Sequence, residues 1–185
     1  MKQTLLLSLV LIALSPLASA QKYFTKNGTL SFDATSPGSP ENIMANNRTV
    51  VCVLDASTGD IQFKAAMKAF TFDRALMQEH FNENYVESDK FPDAKFTGTI
   101  SKMASITLSK EGSYPATVKG KLTMHGETRE VETTGKITVA NGKVTATASF
   151  SIVLNDYKVN VPSLVADKVS KTAKITVNCG LEPLK

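Results

Sequence analysis

Apolar and polar side chains alternate at every second residue over most of this chain. Val118, Gly120, Leu122 and Met124 alternate with Lys119, Lys121, Thr123 and His125. Val131, Thr133, Gly135, Ile137 and Val139 oppose Glu130, Glu132, Thr134, Lys136 and Thr138. The same holds for Ile61, Phe63, Ala65 and Met67, for Phe96, Gly98 and Ile100, for Val144 to Leu154, and for Ala173, Ile175 and Val177. A period of two places alternate residues on opposite faces of a strand, and one dry and one wet face mean antiparallel sheet. The many valines and threonines agree. Asn141-Gly142 is a two-residue hairpin signal. Looser hairpin loops are read at Ser57–Asp60, Lys110–Ser113 and Gly126-Glu127-Thr128. Consecutive hairpins leave two open edges, and closure into a barrel removes them. An eight-stranded barrel encloses room for side chains or for one small ligand.

One segment departs from the period of two. Leu76, Met77, Phe81 and Tyr85 fall close to one helical face. They predict a short helix over residues 74–81, followed by a loop that ends at Phe91-Pro92. Ser36-Pro37-Gly38-Ser39-Pro40 reads as a surface loop, with a helical turn over residues 41–45 after it.

The first twenty residues read as a leader. Lys2 precedes an apolar run from Leu5 to Leu14, and Ala18-Ser19-Ala20 forms a small-residue cleavage site. The expectation is an exported protein of one domain, residues 21–185, with no membrane-spanning segment. Residues 1–20 hold one of the 21 Lys and Arg and none of the 17 acids, so the mature net charge would be +3. The lysines are scattered, whereas a nucleic-acid footprint requires a cluster. Two cysteines, Cys52 and Cys179, lie in strand-like runs near opposite ends of the chain. Their pairing stays open, and free, buried thiols are favoured. One intervening strand would hold them beyond the ~7 Å limit for a disulfide.

The chain has little catalytic vocabulary. Its two histidines, His80 and His125, have no ligand spacing to each other or to a cysteine, and they read as surface or rim residues. Asp33, Asp55, Asp60, Asp73 and Asp89 adjoin turns, where aspartate commonly braces backbone. No nucleophile elbow, phosphate loop or dinucleotide fingerprint occurs. No catalytic residue, metal site or cofactor is therefore assigned. The apolar inventory is richer: nine Phe and four Tyr without a Trp, with six Met. Flexible methionines suit an adaptable lining. Burying ~20 alkyl carbons would supply at most ~16 kcal/mol. Micromolar binding needs ~8 kcal/mol after the costs of association.

Three blocks carry a family resemblance. Gly120-Lys-Leu-Thr-Met-His-Gly-Glu-Thr-Arg-Glu-Val131 is the first. The second runs from Met77-Gln-Glu-His-Phe81 through Tyr85–Pro92 to Ala94-Lys-Phe-Thr-Gly98. The third is Phe150–Val159. In order and spacing they resemble the YceI-like family over about residues 28–179. The resemblance implies an all-β, extended eight-stranded antiparallel lipocalin-like barrel with a short helix covering one end. It also implies an internal cavity for a polyisoprenoid or other long-chain amphiphile, and an exported protein, with the periplasm expected and secretion the alternative. Residues 36–48 are less like the usual family start, which leaves the ligand's identity open. Side-chain phase assigns Phe63, Met67, Phe96, Leu122, Met124, Ile137 and Phe150 to the lining. Met77 and Phe81 form the helical cover. The expected function is an exported lipid-binding carrier or store. Its partner would be a long-chain isoprenoid or fatty-acyl small molecule, and a homodimer stays open. The alternatives are a ligand-free stress-response or interaction module, or an enzyme acting on a hydrophobic substrate.

Overall fold

The alternating segments form nine strands in a computed structural model that describes residues 21–184. They are β1 (Lys22–Thr35), β2 (Met44–Asp55), β3 (Asp60–Ala66), β4 (Thr71–Phe72), β5 (Asp93–Ile100), β6 (Gly112–Met124), β7 (Glu127–Ala140), β8 (Lys143–Val153) and β9 (Val169–Pro183). The leader read in residues 1–20 lies outside the described residues. Eight strands pair in the order β1-β9-β8-β7-β6-β5-β3-β2, and β1 pairs with β2 to close the barrel. All pairings are antiparallel, and the two-residue β4 adds to β2 outside the ring. Closure answers the edge problem posed by so many hairpins. Among the described residues no helix is long and apolar enough to cross a membrane.

Two hairpin turns set much of the register. Asn141-Gly142 joins β7 to β8 with both residues at positive φ, 51° and 71°. That is the primed turn whose twist matches the strands. His125-Gly126 joins β6 to β7 in the same way, at 50° and 77°. The β6–β7 turn thus lies one residue earlier than the loop expected at Gly126-Glu127-Thr128. The helical turn expected over residues 41–45 is absent. The Ile43 N–H donates to Thr35 Oγ1 at 2.9 Å and its carbonyl accepts from the Ala34 N–H at 2.9 Å. A local side-chain acceptor draws this segment into extended backbone ahead of β2.

The expected helix forms as α1 (Ala75–His80) and widens into a π-type turn over Phe81–Tyr85. Six residues are too few for a stable isolated helix. Packing supplies the remainder. The buried Phe81 ring has centroids 5.9, 5.7 and 5.0 Å from those of Phe32, Phe70 and Phe72. Aromatic contacts of this kind contribute about 0.5–1.5 kcal/mol each beyond area burial.

The barrel interior divides into two halves. At the end away from α1, Cys52, Leu54, Met103, Ile106, Val139, Val144 and Leu181 are buried and fill the space between the strands. Cys52 and Cys179 are both free and buried in this half. Gly28 of β1 lies between their strands, and the Cys179 Sγ sits 2.6 Å from where a Gly28 Cβ would be. Contact with the Cys179 thiol and burial both push the Cys52 thiol up from its ordinary value.

At the α1 end, His125 proves to be a largely covered connector. This corrects the reading of it as a surface or rim residue. Its side chain is only 9% exposed. Nδ1 lies 2.9 Å from the Tyr157 carbonyl, and Nε2 lies 2.9 Å from Glu87 Oε2. The ring also meets Phe91 edge-on at 4.7 Å. The left-handed backbone of the turn takes His125 out of the β6 alternation, so strand phase does not predict its direction. One side chain thereby ties the β6–β7 turn to the loop after α1 and to the turn after β8. His125→Ala removes both hydrogen bonds and leaves the Tyr157 carbonyl without this partner. We expect a loss of about 2–3 kcal/mol in urea unfolding at neutral pH. His125→Asn, which keeps a donor and an acceptor, should restore part of it.

Candidate functional site

Above the packed half, the barrel is hollow. The cavity holds about 440 Å³ and is walled almost wholly by aliphatic and aromatic side chains. It is blind, because its deepest wall residues include Val50, Ile100, Ala116, Ala146 and Val177, and the filled half begins immediately behind them.

All nine residues singled out in the sequence face this cavity. Phe63 and Met67 come from β3 and the turn after it, Phe96 from β5, Leu122 and Met124 from β6, Ile137 from β7 and Phe150 from β8. Met77 and Phe81 close over it from α1 and the turn that follows. Phe63 and Phe96 are register partners, with ring centroids 6.1 Å apart. Strand phase therefore carries without a slip through the five strands that supply these residues, since a one-residue shift would turn every lining residue outward.

The inward glycines do not leave open space. Gly98 and Gly120 face each other across β5 and β6, and the Phe96 ring lies over both. A Cβ on Gly120 would come within 2.7 Å of the Phe96 Cζ and 2.4 Å of the Thr97 carbonyl. These glycines let a large aromatic lie flat against the wall, and the hollow lies beyond the ring.

The mouth adds residues that strand phase does not reveal. Glu41, Arg74, His80 and Lys168 line it beside the apolar Ile43, Leu76, Val165 and Val169. The Glu41 carboxylate pairs with the Arg74 guanidinium, and Lys168 Nζ lies 3.1 Å from its other oxygen. This links the β1–β2 loop to the residue before α1 and to the loop before β9. Glu41 and Arg74 are 33 residues apart and sit on unrelated loops, so no spacing joins them in the sequence. Lys95 and Lys136, which border the cavity by position, belong to the outward phase and are exposed.

The electrostatics of this end are those of paired carboxylates. The hydrogen bond and charge of Lys168, aided by Arg74, hold Glu41 below the usual carboxylate range. His125 does the same to Glu87, and Lys158 to Glu127. At the opposite end of the barrel, Asp55 is lowered by hydrogen bonds from Ser57 within its own turn, the bracing role expected of a turn aspartate. Each group titrates at lower pH when folded, so the unfolded chain binds more protons on acidification. Their contribution is present above about pH 5 and is lost as the pH falls through the folded values. Urea midpoints measured from pH 7 down to pH 3 should fall monotonically. The pairs are exposed, so the fall should shrink in 1 M salt.

Among the described residues no group of three or more His, Cys, Asp or Glu could hold a metal ion. The ionisable mouth residues stand at the rim, and Glu41 is shifted down, the direction opposite to that of a general acid.

The family model of the YceI-like domain matches residues 18–181. A search of curated proteins found no match. Among solved structures, the chain is similar to a polyisoprenoid binding domain from Saccharophagus degradans implicated in plant cell wall breakdown. That pair shares 13% identity with a TM-score of 0.75, over 89% of this chain and 99% of the other. It is also similar to BcnA of Burkholderia cenocepacia, at 14% identity and a TM-score of 0.67, over 84% and 96% of the two chains. The YCEI protein of Campylobacter jejuni follows at 17% identity and a TM-score of 0.58, over 81% and 90%. At such identities the likeness to these three is one of fold. With a closed antiparallel barrel, a helix over one end and a family match across nearly all of its length, this chain belongs to the YceI-like domain family.

Proposed function

We propose that the protein is an exported carrier or store for a polyisoprenoid or other long-chain amphiphile, held tail-first in the barrel. The blind apolar cavity carries this reading. A wall without buried charge offers an alkyl or prenyl tail nothing to desolvate, and each buried methylene contributes about 0.8 kcal/mol. Filling a cavity of this size with about fifteen methylene-sized groups gives an upper bound near 12 kcal/mol. That reaches micromolar binding when the association cost stays near about 4 kcal/mol. The match to the family and the likeness to a polyisoprenoid binding domain support the ligand class. The leader-like N-terminus supports export, with the periplasm as the proposed compartment. We assign no catalytic role.

The test is chemical extraction. Protein purified from its own host should release a long-chain lipid in near-stoichiometric amount on denaturation, as read by mass spectrometry. Repeated recovery of empty protein that takes up neither isoprenoid quinones nor fatty-acyl compounds would overturn the proposal and favour a ligand-free module.

A further inference from the structure

Two features of the cavity restrict its ligand further: its depth is fixed, and its mouth already holds a carboxylate between two cations. The floor is set by Val50, Ala116, Ala146 and Val177, with buried Cys52, Val144 and Cys179 directly behind. An apolar tail cannot pass it without displacing packed core. The cavity, of about 440 Å³, therefore takes a tail of bounded length. At the rim, Arg74 and Lys168 converge on the carboxylate of Glu41 from two different loops. Both cations are partly exposed and end beside the opening, so Glu41 does not exhaust their hydrogen-bonding capacity. The group that fits such a pair is another carboxylate.

We propose that the ligand is a single-chain carboxylic acid whose length the floor sets, with its tail on the floor and its carboxylate shared between Arg74 and Lys168. This rests on the carrier reading and sharpens it. The floor acts as a ruler. Affinity rises with each added carbon until the tail reaches Ala146 and Ala116, and then stops rising because further carbons stay in water. The rim sets head-group preference, since an alcohol or amide of the same length gains no charge-assisted hydrogen bond there.

The experiment is calorimetric titration of delipidated full-length mature protein with saturated fatty acids of eight to twenty-two carbons. The matching alcohols form a second series, and prenyl alcohols of increasing length a third. We expect affinity to rise about fourfold per carbon and to level off at one chain length within the series. Acids should bind about tenfold more tightly than alcohols of equal length. Arg74→Gln combined with Lys168→Gln should erase that tenfold preference, read as the ratio of acid to alcohol affinity. Ala146→Leu adds three carbons to the floor and should move the plateau down by about three. Ala116→Leu reaches a similar depth from β6 and serves if the first variant folds poorly by circular dichroism. Affinity that climbs without a plateau, or a plateau that ignores both floor variants, would overturn the ruler. Equal binding of acids and alcohols, with the Gln pair without effect, would overturn the head-group assignment. In both cases tail binding, and with it the carrier reading, would survive. Absence of binding in all three series would defeat the carrier reading itself.

Discussion

Gly120→Val should lower the stability of the barrel by about 3 kcal/mol or more, and it should do so without touching the surface or any charge. The backbone at Gly120 is ordinary strand, so conformational freedom is not the reason for glycine there. Space is the reason. A Cβ would stand 2.4 Å from the Thr97 carbonyl oxygen, 2.5 Å from the Gly98 Cα and 2.7 Å from the Phe96 Cζ. Two of these are backbone atoms of the neighbouring strand and cannot move without opening the β5–β6 pairing. The third belongs to a ring packed across both glycines. Valine adds two methyl groups to that first clash. The check is urea unfolding, with Gly180→Val on β9 as the control. No heavy atom comes within 4 Å of a Cβ at Gly180, so its valine should be nearly neutral. Equal effects at the two sites would refute the role given to Phe96 and its glycines.

Leu122→Glu should leave a folded protein that has lost at least about a hundredfold in lipid affinity. Leu122 is partly buried and projects into the hollow region. Water can enter the empty cavity of this variant and solvate a carboxylate, so the apo state tolerates the change. A lipid tail must strip that water away. Desolvating an unpaired carboxylate costs several kcal/mol, and about 2.7 kcal/mol already corresponds to the hundredfold loss. Unfolding midpoints and the near-ultraviolet circular dichroism of the unliganded variant should stay close to the parent. Displacement of a bound fluorescent fatty acid measures the affinity. Retained binding with an intact fold would show that the tail lies elsewhere.

How far the sequence could be read depended on the range of each interaction. Lining residues such as Phe63, Leu122 and Ile137 were legible because a strand has a strict period of two, and each strand reports its own inward face. The barrel followed from hairpin signals such as Asn141-Gly142, whose geometry is local. Failures came where a side chain's direction is set by something else. His125 sits at positive φ in a turn, so the phase of β6 does not apply to it. Residues 41–43 lost their expected helical turn to the hydroxyl of Thr35, eight residues earlier. The Glu41–Arg74–Lys168 cluster at the mouth was invisible, because each member sits on a different loop and only barrel closure brings them together. Strand phase turns Gly98 and Gly120 inward, but what fills the space beside them is a contact with Phe96 that strand phase cannot specify. The cysteines lie in flanking strands on either side of Gly28, and the favoured reading of free, buried thiols matches their state.

Half of this barrel is a blind, apolar-walled hollow able to receive an apolar tail. The most direct measurement is a crystal structure of the protein purified from its own host without delipidation. Continuous rod-shaped electron density running from the floor at Ala146 to the rim at Glu41, with no ordered water along it, is the predicted result. A cavity closed by Phe96, Met124 and Phe150 side chains, or one filled with a hydrogen-bonded chain of waters, would contradict it.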